Sequence, residues 1–196
     1  MGRGQTLLYN STIAYMGNII NPKPKQVYIG SALTHLPSAI FSEYKTLIVG
    51  IADMIEDIFQ CKVRYALEDS DPFLPKYNIP KRPAECYRMD RELAEQCDLF
   101  IAEASFPSTG LGQELQIVAY NNKPAILIYK NYGNNLAEKK DYRTKSGEGH
   151  TIELGNKIVS VMVQGNPAIK REILYKNKDE CIQQVKEFIL EYYGLI

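Results

Sequence analysis

The chain has 196 residues, with 23 basic and 23 acidic side chains and therefore a formal net charge of zero. This length suits one domain with a sizeable core, and the even charge balance argues against the basic face that a nucleic-acid polymer requires. No apolar run is long enough to cross a bilayer, so we expect no membrane partner. Four cysteines without CxxC spacing and two distant histidines argue against a structural zinc site, and reduced thiols in a cytoplasmic protein are the simplest account of the cysteines. We expect neither a metal nor a cofactor.

Strands and helices are predicted to alternate along most of the chain. Residues 1–24 end in the breaker cluster Asn21-Pro22-Lys23-Pro24 and are predicted to form an N-terminal extension to a domain at 25–196. Short apolar runs predict five strands, and apolar residues at helical spacing predict the helices between them. The strands are predicted at 26–30, 62–67, 99–102, 124–129 and 172–176, and the clearest helices at 39–59, 84–97 and 178–193, with a shorter one at 154–163.

This alternation predicts a single doubly wound α/β domain with a five-stranded parallel sheet of the flavodoxin or Rossmann type, flanked by helices.

Two segments fall outside the pattern of alternating strands and helices. Residues 68–83 contain four prolines with aromatic and acidic residues between them, and such a long loop is a plausible substrate lid. Residues 130–150 are polar and are predicted to form a second long loop.

The most informative stretch is 98–121, where an apolar strand leads through a small-residue loop into a helix. The loop, 107–112, contains Gly110 and Gly112, and ligands of open α/β sheets bind at such loops beyond the carboxyl ends of the strands. Glu114 is predicted in the first helical turn, where the helix dipole favours an ionised carboxylate. Such a carboxylate can attack a sugar's anomeric carbon, although first-turn acids are also common in ordinary helices.

Three segments together resemble the nucleoside 2-deoxyribosyltransferase family, which includes 2′-deoxynucleoside 5′-monophosphate N-glycosidases. They are Val27-Tyr28-Ile29-Gly30-Ser31, the segment MDRELAEQCDLFIAE with Asp90, and Pro107-Ser108-Thr109-Gly110-Leu111-Gly112-Gln113-Glu114-Leu115. The resemblance implies cleavage of the N-glycosidic bond of a 2′-deoxynucleoside or its 5′-monophosphate, with hydrolysis or transfer of the deoxyribosyl group to another base. It also implies a small-molecule nucleoside or nucleotide partner, and a homodimer or higher homo-oligomer with sites completed across subunits.

The resemblance assigns roles to individual residues. Glu114 matches the nucleophile that forms a glycosyl-enzyme intermediate, Asp90 the acid that assists departure of the base, and Tyr28 an aromatic hydroxyl that places nucleophile and sugar. Two carboxyls used in series retain the configuration at the sugar. Asn135 falls where family members present a polar residue to a neighbouring subunit's site. The matching segments also place substrate-binding residues at Gly30, Ser31, Ser108, Gly110 and Gly112.

The residues themselves leave alternatives open. Asp90 would otherwise be a solvated helix acid paired with Arg88 or Arg91, and Asn135 a plain loop asparagine. Glu103, at the end of a strand, either contacts the ligand or caps its loop, and Tyr87 either stacks on a base or packs in the core. Two further residues, Cys86 and Cys97, suit small apolar packers better than nucleophiles because no histidine lies near them in sequence.

The first strand also departs from the family pattern. Phosphohydrolase relatives carry Gly-Ser-Ile-Arg after this strand, with the arginine on the 5′-phosphate, but this chain has Leu33 at the arginine position and His35 two residues later. Ser31 and Ser108 still match phosphate-contacting serines of that branch. Loss of the bidentate arginine contact puts a monophosphate preference in question. Two non-enzymatic alternatives remain, a nucleotide-binding sensor module of the same fold and an assembly protein that uses its long loops as contact surfaces.

Overall fold

The structure, a computed structural model, describes residues 21–196, so residues 1–20 of the predicted N-terminal extension lie outside the described part. The strands are β1 (Gln26–Ser31), β2 (Lys62–Tyr65), β3 (Leu99–Glu103), β4 (Ala125–Lys130), β5 (Asp141–Arg143), β6 (Gly149–Thr151) and β7 (Ile169–Tyr175). The helices are α1 (Phe41–Phe59), α2 (Arg82–Gln96), α3 (Thr109–Tyr120), α4 (Val161–Gln164) and α5 (Lys178–Tyr192). None of the helices in 21–196 is long and apolar enough to cross a membrane.

Five strands form one parallel sheet in the order β2-β1-β3-β4-β7, which confirms the predicted doubly wound α/β fold. From β1 the chain runs outward to β2 and then returns to place β3 on the opposite side of β1. The order of the strands therefore reverses between β1 and β3. In open α/β sheets, this reversal opens a crevice at the carboxyl ends of the two strands, and ligands bind there.

Helices cover both faces of the sheet, and alternate residues of β1 point to opposite faces. Val27 and Ile29 join a core with α1 and α5, whereas Tyr28 joins a core with α2 and α3. On the first face, helical spacing brings a row of buried isoleucines of α1 inward, as predicted from the sequence. This row consists of Ile48, Ile51 and Ile55.

Several irregular segments differ from the sequence predictions. The proline-rich loop predicted at 68–83 contains two 3₁₀ helices, Asp71–Lys76 and Ile79–Lys81, because proline suits the first positions of a helix. The polar loop predicted at 130–150 contains the antiparallel hairpin β5–β6, whose residues are all exposed and so carry no apolar alternation. The short helix predicted at 154–163 is wrong except at its end, which lies in α4.

An asparagine explains the missing part of that helix. The Asn156 side-chain oxygen accepts hydrogen bonds from the backbone N–H groups of Ile158 and Val159, at 2.9 and 2.8 Å. Such a bond offers the backbone a turn in place of a helix. At the other end of the described chain, Asn21 donates a hydrogen bond of 2.9 Å to the backbone carbonyl of Tyr192 and so lies against α5.

One buried tyrosine ties α1 to the carboxyl ends of β1 and β3. The Tyr44 hydroxyl accepts a 3.0 Å hydrogen bond from the backbone N–H of Ala32 and donates one of 3.4 Å to the backbone carbonyl of Glu103. Tyr44 and Ala32 have no exposed surface, so water cannot replace these bonds. Tyr44 thus fixes the carboxyl ends of β1 and β3, where the crevice opens.

We predict that Tyr44→Phe lowers the free energy of unfolding by about 1–3 kcal/mol, because the Ala32 N–H loses its acceptor in the interior. Urea denaturation monitored by circular dichroism measures the change. Tyr120→Phe is the matched control, since Tyr120 is 84% exposed and its substitution should leave the unfolding midpoint unchanged. Equal stability of the two variants would contradict the role given to Tyr44.

Candidate active site

A short hydrogen bond joins β1 to α3 beside the crevice. The Tyr28 hydroxyl donates to Glu114 Oε1 at 2.6 Å. Tyr28 is fully buried, and its ring packs against Phe100 of β3 with the ring centroids 5.3 Å apart. Because the strand and the neighbouring ring fix the tyrosine, its hydroxyl fixes one oxygen of the Glu114 carboxyl group.

Gly30 makes room for this carboxyl group. A Cβ atom at Gly30 would lie 2.5 Å from Phe100 Cζ and 2.8 Å from Glu114 Oε2, closer than real Cβ contacts allow. The glycine is therefore required for the close approach of the Glu114 side chain to the backbone of β1. Gly30 was predicted as a substrate-binding residue. In the structure, the Glu114 carboxyl group and the Phe100 ring fill the space beside it.

Asp90 of α2 lies close enough to Glu114 for its charge to act on that carboxyl group. We call Tyr28, Glu114 and Asp90 together the carboxyl cluster. Asp90 Oδ2 accepts a hydrogen bond from Cys86 Sγ at 3.2 Å, whereas its buried Oδ1 has no hydrogen-bond partner within residues 21–196. The alternative in which Asp90 pairs with a neighbouring arginine does not describe this geometry. Arg88 pairs with Glu85 and Glu92, and Arg91 pairs with Glu95.

Burial and charge shift the ionisation of this cluster. Burial raises the pKa of Glu114 to about 7; the hydrogen bond from Tyr28 acts in the opposite direction, and the negative charge of Asp90 raises it further. Burial, followed by the charges of Glu114 and Asp90, holds the pKa of Tyr28 well above its usual range. Near neutral pH, Tyr28 therefore stays a hydrogen-bond donor while Glu114 exchanges its proton.

The position of Glu114 in its helix corrects the sequence prediction. Helix α3 begins at Thr109, so Glu114 lies in the second turn, and the first turn contains no acidic residue. The helix dipole acts mainly within the first turn, and burial outweighs it here. The expectation of a carboxylate kept ionised by the dipole is therefore wrong, because the pKa of Glu114 is raised.

The predicted small-residue loop is also shorter than expected. Gly110 and Gly112 lie within α3 with ordinary negative φ angles, so neither supplies a sharp turn. Ser108 precedes the helix, and its hydroxyl accepts a 3.1 Å hydrogen bond from the Leu111 N–H, as an N-cap does. A Cβ atom at Gly112 would meet nothing within 4 Å, so this glycine borders open space.

That open space is a cavity of about 510 Å³ beside β3 and β4. It does not reach the Tyr28–Glu114 bond. Its walls are mainly apolar and come from the start of α3 and from the segment 153–163, so it brings Ser108 and Gly112 together, and neither Asp90 nor Glu114 lines it. The predicted site residues thus divide into a carboxyl cluster next to β1 and a second group at the start of α3.

Three predicted binding residues lie outside both groups. Glu103 is fully buried, and its carboxyl group accepts hydrogen bonds from Ser105 and, at 2.9 Å, from the Tyr175 hydroxyl. The Asn135 amide donates to the backbone carbonyls of Ser105 and Lys130, at 2.7 and 2.8 Å, so its side chain is engaged within its own chain. Tyr87 of α2 is 52% exposed, so it does not pack in the core.

The end of β1 has no cationic side chain in the place where the family pattern has arginine. Leu33 is half-buried and packs against the core formed with α1 and α5. Ser31, at the end of β1, is half-buried and lies in register with Glu103 of β3. Within residues 21–196, no group of three or more His, Cys, Asp or Glu side chains is arranged to hold a metal ion.

The sequence did not identify Cys86 as a neighbour of the carboxyl cluster. Cys86 was interpreted as an apolar packer, yet its thiol contacts Asp90. The spacing of the two residues contained the signal, because side chains four positions apart meet on one face of a helix. The ring of Phe100 packs against Tyr28, but the sequence identified Phe100 only as a residue of an apolar strand.

No protein-family model and no curated protein sequence matches the chain, but solved structures do. The Clostridium botulinum CMP N-glycosidase BcmB is 17% identical with a TM-score of 0.51, and the match covers 83% of this chain and 99% of that one. A conserved protein from Enterococcus faecalis V583 is 13% identical with a TM-score of 0.51, over 83% of this chain and 98% of that one. At such identities the similarity concerns the fold, and it confirms the fold implied by the resemblance to nucleoside 2-deoxyribosyltransferases.

Proposed function

We propose that the protein cleaves the N-glycosidic bond of a nucleoside or nucleotide, most favourably a 2′-deoxynucleoside or its 5′-monophosphate. The observation that carries the proposal is the carboxyl cluster, in which Tyr28 fixes Glu114 and a second acid, Asp90, acts on its ionisation. The cluster lies at the strand-order reversal between β1 and β3, where α/β proteins bind ligands.

The chemistry of the bond suits two carboxyl groups. Glu114 attacks the anomeric carbon, the bond to the base nitrogen breaks, and the electron pair leaves with the base while Asp90 donates a proton to it. Water or a second base then attacks the same carbon and displaces Glu114, and Asp90 takes up the proton of the incoming group. Two displacements retain the configuration of the sugar.

This role requires one proton in the carboxyl cluster, placed on Asp90 when the bond breaks. Near neutral pH, burial holds a proton on Glu114. Glu114 must be ionised to attack the anomeric carbon, so it has to lose this proton first, and Oδ1 of Asp90, which has no hydrogen-bond partner within residues 21–196, is the free acceptor in the cluster. We therefore infer that substrate binding moves the proton from Glu114 to Asp90.

The structural neighbour and the start of α3 support a nucleotide as the substrate. The neighbour's name states that it acts on CMP, which supports a nucleotide here as well. N–H groups at a helix N-terminus bind anions, so the start of α3, near Ser108, is the proposed binding place for a 5′-phosphate. Leu33 offers no charge to a phosphate, so a free nucleoside is the second substrate to test.

Base release from a panel of ribo- and deoxynucleosides and their 5′-monophosphates, followed by chromatography, tests this function. We predict that Glu114→Gln lowers kcat by ~10³-fold or more, because the amide cannot form the glycosyl-enzyme intermediate. Glu172→Gln is the matched control, since Glu172 also accepts a tyrosine hydroxyl, that of Tyr129 at 3.1 Å, but on β7. It should retain activity within about 2-fold.

A second free base in the same assay separates hydrolysis from transfer. Formation of a new nucleoside identifies a transferase, and release of the sugar alone identifies a hydrolase. If wild-type protein is stabilised against heat by a panel member but never cleaves it, the glycosidase proposal is wrong and the nucleotide-binding sensor takes its place.

The pH dependence of the reaction tests the origin of the proton. We predict that kcat/KM falls about tenfold between pH 6 and pH 8, because the proton on Glu114 is lost around pH 7 and none is then left for the base. Initial rates at low substrate concentration measure the profile. If kcat/KM instead rises over this range, the reaction needs Glu114 in its ionised form and does not use the proton of Glu114, and the inferred proton transfer to Asp90 is wrong.

The ionisation of Glu114 is also testable without a substrate. The pKa of Glu114 is raised to about 7 in the folded protein, so its protonated form favours folding, and this stability is lost as the pH rises from about 4.5 through 7. We predict that Glu114→Gln is more stable than wild type by ~2 kcal/mol at pH 8, with a smaller gain at pH 5. Urea denaturation at both pH values, with Glu172→Gln as control, measures the difference. Equal gains at both pH values would refute a raised pKa.

A further inference from the structure

Among the residues that the structure describes, one side chain forms a hydrogen bond with the Asp90 carboxyl group. Asp90 Oδ2 accepts a hydrogen bond from the Cys86 thiol at 3.2 Å, and within residues 21–196 its buried Oδ1 has no partner. The arginines on either side of it in sequence bind other carboxylates. The orientation of this carboxyl group therefore depends on a thiol donor four residues earlier on α2.

The geometry points to Cys86 as a positioning residue for the cleavage reaction: its thiol holds Asp90 Oδ2, so that Oδ1 stays free to carry the proton to the leaving base. This inference rests on the proposed function. Cys86 itself contacts neither the anomeric carbon nor the base in this role, and it acts through Asp90 alone.

The ionisation of the thiol is consistent with donation. Burial raises the pKa of Cys86 to about 12, with the hydrogen bond to Asp90 and the charges of Asp90, Glu114 and Asp71 acting in the same direction. At neutral pH the sulfur therefore keeps its proton. A protonated thiol donates a hydrogen bond but is a poor nucleophile, which separates this role from that of a catalytic cysteine.

The choice of leaving group distinguishes positioning from a merely structural role. A natural base needs a proton to depart, whereas 4-nitrophenolate departs without one. We expect Cys86→Ala to lower kcat for the best nucleoside or nucleotide of the panel by ~10-fold, the effect of losing one hydrogen bond, with KM changed by less than ~2-fold. Cleavage of 4-nitrophenyl 2-deoxyriboside, 5′-phosphorylated if wild type requires it, should change by less than ~2-fold.

Two further variants sharpen the measurement. Cys86→Ser keeps a donor and should recover most of the lost kcat, whereas Cys61→Ala, a half-buried cysteine packed against the core on the other face, should behave as wild type. Equal losses on both leaving groups, or no loss with Cys86→Ala, would overturn the positioning role. Wild type that releases no base from any substrate overturns the proposed function instead.

The contact itself is tested on the protein alone. Because Asp90 raises the pKa of the Cys86 thiol, Asp90→Asn should speed alkylation of Cys86 by iodoacetamide at pH 8.5 by at least ~3-fold, measured by mass spectrometry of the digest. Cys61 in the same digest is the internal control and should react at an unchanged rate. An unchanged rate at Cys86 would refute the hydrogen bond on which the inference depends.

Discussion

The hydrogen bond between the Tyr28 hydroxyl and Glu114 is the constraint on which the rest of the site depends. It exists because three conditions are met at the end of β1: a tyrosine that points to the α3 face, a phenylalanine on β3 that holds its ring, and a glycine that leaves space for the carboxyl group. The sheet topology supplies the strands, since β1 and β3 are neighbours at the strand-order reversal. Local sequence and overall fold thus lead to the same carboxyl group.

In the proposed reaction, the environment of Glu114 gives a destabilising side chain a role. A buried carboxyl group beside a second acid costs free energy in the ionised form, and its raised pKa expresses that cost. A positively charged sugar would remove the cost, because it pairs with the carboxylate at the moment the bond breaks. An interaction present mainly in the transition state accelerates the reaction, whereas one present equally with the substrate does not.

The sequence predicted the fold better than it predicted the site. Buried strands show as apolar runs, and helices with one buried face show as apolar periodicity, so both were found within a few residues. The β5–β6 hairpin was missed because its exposed residues carry no apolar signal. The resemblance to a known family brought Glu114, Asp90 and Tyr28 into one hypothesis, and the structure places them together. It does not bring Glu103 or Asn135 to them, because strand ends and polar loops also use such side chains to satisfy buried backbone groups.

Ionisation was the part that spacing could not predict. A carboxylate near a helix N-terminus is favoured by the helix dipole, and that argument needs only the sequence. Burial acts in the opposite direction and is larger here, but it depends on how β1, α2 and α3 pack, which involves residues far apart in the chain. The hydrogen bond from Cys86 to Asp90, by contrast, is local to α2 and follows from their spacing of four residues. In the proposed reaction, the chemistry therefore depends less on which acids are present than on how deeply they are buried and on which of them holds the proton.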